Sequence, residues 1–492
     1  MRSEHTTSSI VQELLLTMLL FGSMGAITWA IRGTDGWGGV DGTIIPGLTW
    51  GLIWHLLSRW KGIDARGIVL WLGLGIALGG ELGYGQYVSW IQGKFHVGNG
   101  IVPIAPATGY LWLRICGIGW AAPGGIVLGW ALAGRTSTKH WAVRSLLLLF
   151  LLVLLFWPPL IDWLGERFLQ TGVAAIFPHA DAGWYAGMSD RHLERTIYTN
   201  TQNFTVLLWW LAALLVAALQ RDRTTMVTGL VLGLGFGVGF MQSAMWCLGY
   251  GVAPDYIDWW KMWELNAGFD LGVLYAILFY WHTCRRDASV PARKTGAKAF
   301  PLERLETLAL ASAGALLIFL AGFEYFFWTG VLLSIFYFVA MGLAGSRISR
   351  PNAGDRRRAV SFIYSVFLLL FILFHGGSSR AGVILGLYSA DAVDQYAWPA
   401  ARILLFVPVA VISTAAAVWY MIRIFRRKSD PNQTGRESSR WSIYMIDLMT
   451  VIGFVGALSI WPAKIGVLYA FFLFLALFAF TRMDKQRSVA LF

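Results

Sequence analysis

Residues 72–91 read LGLGIALGGELGYGQYVSWI: twenty residues with six glycines, three aromatics and one charge, Glu81, near the centre. About 20 mostly apolar residues are what a helix needs to cross ~30 Å of hydrocarbon. A carboxylate at that depth costs about 2.5–3.5 kcal/mol on insertion scales, so Glu81 requires a physical reason. The run therefore predicts a membrane span that carries something besides packing.

Outward from it the pattern repeats. Fourteen stretches have span length: roughly 14–32, 43–58, 67–91, 111–133, 145–164, 204–220, 227–250, 259–282, 307–323, 325–345, 359–375, 401–424, 442–460 and 463–481. The expectation is an all-α, polytopic integral membrane protein of about 14 helices. It divides into a bundle over 1–282, a basic linker over 283–306 and a second bundle over 307–492. Composition agrees. The 492 residues are 57% hydrophobic and only 13% charged, with mean hydropathy +0.59, about half the charge of a soluble domain. That excludes a water-soluble enzyme and a disordered scaffold. Cys116, Cys247 and Cys284 are too few and too scattered for a disulfide framework or a thiolate metal site.

The formal charge of +12 is explained by topology. With both termini in the cytoplasm, alternate loops hold 29 of the 39 basic residues but only 11 of the 27 acidic ones, the bias of the positive-inside rule. The expected location is the plasma (inner) membrane, the expected partner is the lipid bilayer, and no nucleic acid is needed. The first apolar run leads into a glycine-rich loop without a clear small-x-small site, so it reads as a span rather than a cleaved leader.

Residues 72–91 also resemble 232–250, LGLGFGVGFMQSAMWCLGY, and 119–132 resemble 262–275. This alignment pairs Gly73 with Gly233, Trp120 with Trp263, Gly125 with Gly268 and Gly129 with Gly272, as duplicated hairpins would. A fainter copy covers 14–32 and 43–58, sharing Pro46-Gly47 with Pro123-Gly124. Glycines at these spacings also serve close helix packing.

Polar residues inside spans nominate the site. Glu81 and Asp270 lie at mid-depth, Gln242 sits near the position matching Glu81, and Glu264 lies about 1.5 turns from Asp270. Buried ion pairing is the structural alternative. Towards the outer side, Arg32, Asp35 and Asp41 occur in WAIRGTDGWGGVDG (29–42), Arg114 opens the fourth span and Lys261 the eighth. That glycine-rich run lets backbone approach a ligand. It also reads as a solvated turn, and it lacks the oxygen spacing of a calcium loop. Trp120 and Trp263, two of 26 tryptophans, recur beside acids. Their flat faces suit sugars or cations, although Trp also forms interfacial belts.

Other candidates are weaker. His179, Asp181, Asp190, His192 and Glu194 share one outer segment but lack HxxxH or HExxH spacing, so no metal and no cofactor is expected. The run His375 to Arg380 forms an anion nest or an ordinary linker. The leading reading is a secondary transporter of a small polar solute such as a sugar or glycan fragment, coupled to protons or sodium through Glu81 or Asp270. The alternatives are an outward-facing membrane enzyme using carboxylates, Arg and Trp on a glycan or lipid-linked substrate, and a structural subunit of a membrane complex.

Overall fold

The computed structural model describes residues 7–32, 39–61, 63, 68–97, 100–133, 138–170, 191–285 and 463–490, with a few positions between 312 and 335. The ninth to thirteenth expected spans and the linker over 283–306 fall almost wholly outside them. The elements are α1 (Thr7–Arg32), α2 (Gly39–Trp60), α3 (Ile68–Gly79), α4 (Gly85–Ile91), β1 (Lys94–Val97), β2 (Gly100–Pro103), α5 (Pro106–Leu132), α6 (Thr138–Phe156) and α7 (Pro158–Gln170). They continue with α8 (Arg191–Leu219), α9 (Arg223–Ser243), a 3-10 turn (Ala244–Gly251), α10 (Trp259–Arg285) and α11 (Ala463–Ala490).

Five described helices are long and apolar enough to span a bilayer, and the bent pair α6–α7 makes a sixth. Their exposed faces are greasy. On α8, Leu208, Leu211, Leu215 and Leu219 are exposed while Val206, Trp209, Trp210 and Ala213 are buried. On α11 the exposed row is Val467, Phe471, Phe474 and Phe478. Apolar side chains outward at helical spacing are what hydrocarbon solvates. The chain is an integral membrane protein.

The chain forms two compact units, residues 1–77 with 272–492, and residues 78–271. In the first, α1 packs on α2 and on α11. Trp50 Nε1 donates to Phe21 O at 3.0 Å, and Tyr469 Oη donates to Ile27 O at 3.2 Å. The α2–α3 hairpin closes backbone to backbone: a Cβ on Gly47 would meet Leu72 O at 2.6 Å, and one on Gly51 would meet Val69 Cα at 2.5 Å.

The second unit is built on an antiparallel seam between α5 and α9. Gly117 faces Phe236 and Gly237, Gly125 faces Thr228 and Gly229, and Gly129 faces Thr225. None of these three α5 positions has room for a Cβ, so the seam is held by dispersion over its whole length. Asp222 caps α9 by accepting from Thr225 N at 3.1 Å and Thr225 Oγ1 at 2.8 Å, and it pairs with buried Arg144 at 3.3 Å. The glycines aligned as repeats have different neighbours. Gly233 lies against the Trp210 indole, Gly125 against α9, and Gly272 against Phe21 and Gly22 of α1. Their recurrence reflects three separate close approaches.

Three expectations change. The span at 67–91 is two helices separated by residues 80–84, because Gly79-Gly80 and Gly83 interrupt the apolar run on either side of Glu81. The span at 145–164 bends by 82° at Trp157. Pro159 lacks the N–H that would reach Leu155 O, and Gln202 Nε2 takes that carbonyl at 3.4 Å. Finally, α8 starts at Arg191, thirteen residues before the expected span at 204.

Candidate functional site

The break between α3 and α4 gathers a buried polar network in the second unit. A Cβ on Gly79 would meet Trp120 O at 2.5 Å, so α3 ends hard against α5. Beyond it the backbone leaves the helix and its carbonyls need other donors. Gly83 O accepts from Asn203 Nδ2 at 3.0 Å and from the Cys116 thiol at 3.6 Å. Asn203 Nδ2 also reaches Thr199 O at 3.0 Å and Tyr87 Oη at 3.3 Å, while Tyr87 Oη donates to Asn200 Oδ1 at 2.8 Å. Glu81 is half-buried in the break, within electrostatic range of Tyr198 on α8.

The α8 residues in this network are ones that hydropathy does not single out. Thr199, Asn200, Thr201, Gln202, Asn203 and Thr205 are all buried. Thr201 and Thr205 return their hydroxyls to the carbonyls four residues back, at 2.8 and 2.6 Å, which lets hydroxyls live inside an apolar helix. Tyr84 is a second residue absent from the sequence-derived candidates. Its ring is the hub of an aromatic cluster, with centroids 5.9 Å from Trp120, 5.5 Å from Phe240, 6.0 Å from Trp260 and 5.2 Å from Trp263. Trp120 and Trp263 therefore meet through Tyr84. Both are buried, so neither offers an open ring face. Asn203 Oδ1 and Trp263 Nε1 are among the buried polar atoms with no hydrogen-bond partner among the described residues. Orphan groups of this kind cost about 1–3 kcal/mol each.

On α10 the two carboxylates differ. Glu264 is neutralised, taking Lys261 Nζ at 2.6 Å and Trp260 Nε1 at 3.0 Å. Among the described residues Asp270 receives only an amide, Asn266 Nδ2 at 2.9 Å. Asn266 Oδ1 in turn accepts from Trp246 Nε1 at 3.0 Å and Gln242 Nε2 at 3.4 Å. Gln242 and Asp270 thus belong to one ladder.

Arg114 is exposed. Asp35 lies outside the described residues, and the side chains of Arg32 and Asp41 do too, although both residues sit in helices. His179, Asp181 and Asp190 are also outside. Among the described residues no group of three or more His, Cys, Asp or Glu is placed to hold a metal ion.

No protein-family model and no curated protein matches this chain. Among solved structures, the manganese transporter of Eremococcus coleocola aligns over 93% of this chain and 96% of its own. Two of its mutants do so at 12% identity and a TM-score of 0.17. Its complex with an aromatic bis-isothiourea compound does so at 11% identity and 0.14. Superpositions that loose establish no common fold.

Proposed function

We propose that this protein carries a small polar solute across its membrane, with the interrupted pair α3–α4 forming part of the pathway. One observation supports the reading above the others: a span broken at residues 80–84, with Gly83 O held by side chains and Glu81 inside the break. Non-helical backbone at membrane depth persists only where protein buries it or it lines a watery path. Discontinuous helices that expose such groups are a recurring device of solute sites in carriers.

A hydrogen bond from Asn203 or Cys116 to Gly83 O can be exchanged for one from a solute, and the orphaned Asn203 Oδ1 and Trp263 Nε1 supply an acceptor and a donor beside it. Glu81 is the group suited to take up a proton or sodium ion as the solute moves. The sugar preference drawn from Trp120 and Trp263 weakens, because both rings are covered by Tyr84 and its neighbours. An outward-facing enzyme gains no specific observation, since Glu264 is already neutralised by Lys261.

The test needs no knowledge of the solute. Leu82→Cys is placed in a background whose native cysteines are serine, and sealed vesicles are treated with a membrane-impermeant thiol reagent from either side. A carrier labels from both sides, and Glu81→Gln biases labelling to one. Labelling of the Leu82→Cys protein from one side only, in every condition, would remove the transport reading.

A further inference from the structure

The ladder on α9 and α10 has a direction. The Trp246 indole N–H can only donate, so Asn266 must present its oxygen to it and its NH₂ to Asp270, as observed. The bonded hydrogens of the ladder therefore run towards the carboxylate, which accepts at its end. Unlike Glu264, Asp270 has no Lys, Arg or His in ion-pair contact among the described residues. Across from it stands Gly239, whose Cβ would lie 3.1 Å from Asp270 Cβ and 3.4 Å from Oδ2. The α9 backbone therefore lies directly against that flank of the carboxylate.

Beside the ladder lies an aromatic platform. Trp246 stacks on Trp259 at 6.2 Å and 15°, and Trp259 on Tyr256 at 6.3 Å and 29°. Trp246 is 40% exposed and Tyr256 62%. A membrane belt would account for the rings alone. It would not account for an exposed glutamine, an asparagine and an unbalanced carboxylate hydrogen-bonded to one of them, because lipid penalises such a row. A sugar is neutral and would leave the charge of the Asp270 carboxylate unbalanced. An ammonium group needs acceptors and a π-face only.

We propose that Asp270 and Trp246, held by Asn266 and Gln242, bind the ammonium group of a small organic cation. One helical turn, about 6 Å, separates the carboxylate from the residue that fixes the indole, so one ligand can touch both. This deepens the transport reading by naming a solute class, and it rests on that reading only for what happens to the ligand after binding. The same chemistry is offered by a free cation and by the headgroup of a choline or ethanolamine lipid.

The test measures radiolabelled choline binding to the purified full-length protein. Its competitors are 3,3-dimethylbutan-1-ol, which has the shape of choline without the charge, and glucose. Choline is expected to bind saturably, with neither competitor displacing it. Asp270→Asn should weaken binding by about tenfold or more, as loss of a charge-assisted contact does. Asp270→Glu should retain part of it, which separates ligand loss from misfolding. Trp246→Ala should weaken binding by about threefold to tenfold and Trp246→Phe by less, since the ring face survives. Displacement by glucose, indifference to Asp270→Asn, or absence of choline binding would overturn the site.

Repeating the assay in phosphatidylglycerol and phosphatidylcholine nanodiscs distinguishes the sources. Equal binding in both identifies a free solute, whereas Asp270-dependent loss in phosphatidylcholine identifies the lipid headgroup. Choline binding without uptake into liposomes would keep this site and remove transport. Uptake of another solute without choline binding would do the reverse.

Discussion

Two helix interruptions lie within the second unit, and α8 repairs both with adjacent amides. Gln202 takes Leu155 O at the α6–α7 bend, and Asn203 takes Gly83 O at the α3–α4 break. The causes differ. Proline removes a donor and leaves a carbonyl to be satisfied, so one long bond of 3.4 Å suffices and the result is a corner. Glycine removes nothing and instead permits the backbone to leave the helix, so both N–H and C=O groups must find partners. The glycine break accordingly collects Asn203, Cys116, Tyr87 and a carboxylate, and the proline bend collects one glutamine. The transport proposal assigns movement to the first interruption and a fixed corner to the second.

The contrast can be broken in order of effect. Gly79→Ala drives a methyl into the Trp120 backbone at 2.5 Å and should destabilise the protein by about 3 kcal/mol, the upper range for overpacking. Thermal unfolding in detergent measures it, and a neutral result would show that α3 does not end against α5. Asn203→Leu strips Gly83 O of its main donor and should cost about 2 kcal/mol and abolish solute movement. If unfolding is unchanged, the network around the break is ornamental. Gln202→Leu should cost only about 1 kcal/mol. Combined with Pro159→Ala, which restores a donor to Leu155 O, most of that loss should vanish, and simple additivity in the double mutant would disprove the proline account. Smallest is Gly85→Ala, where the nearest atom is Trp260 Cη2 at 3.9 Å. It should stabilise by about 0.5 kcal/mol through the unfolded chain while slowing exchange at the break.

How much of this could be read from residues alone depends on what hydropathy averages. Span-length runs are legible because twenty apolar residues have few other uses, and α1, α5, α9 and α11 stand where they were expected. Glu81 and Asp270 were legible as anomalies for the same reason. The break itself was hidden, since a glycine-rich run scores as apolar whether or not its hydrogen bonds continue. The start of α8 was hidden in the opposite sense. RTIYTNTQNFT (195–205) sums to a polar loop, yet its threonines bond their own helix and its amides serve two neighbours. One signal was available: Asn200 and Asn203 at i and i+3, with Thr201 and Thr205 at i and i+4, keep helical spacing. The recurring glycines serve close packing at the positions where their neighbours are described.

The seam between α5 and α9 has a consequence for how the protein is made. α5 ends at Leu132 and α9 begins at Arg223, so about 90 residues of synthesis separate the two faces. At ribosomal rates of about 5–20 residues per second, α5 waits roughly 5–20 s for its partner. Throughout that interval its glycine face at 117, 125 and 129 is open to any other small-residue helix in the bilayer. Assembly of the second unit is then a race between the correct helix, still being synthesised, and whatever neighbour arrives first.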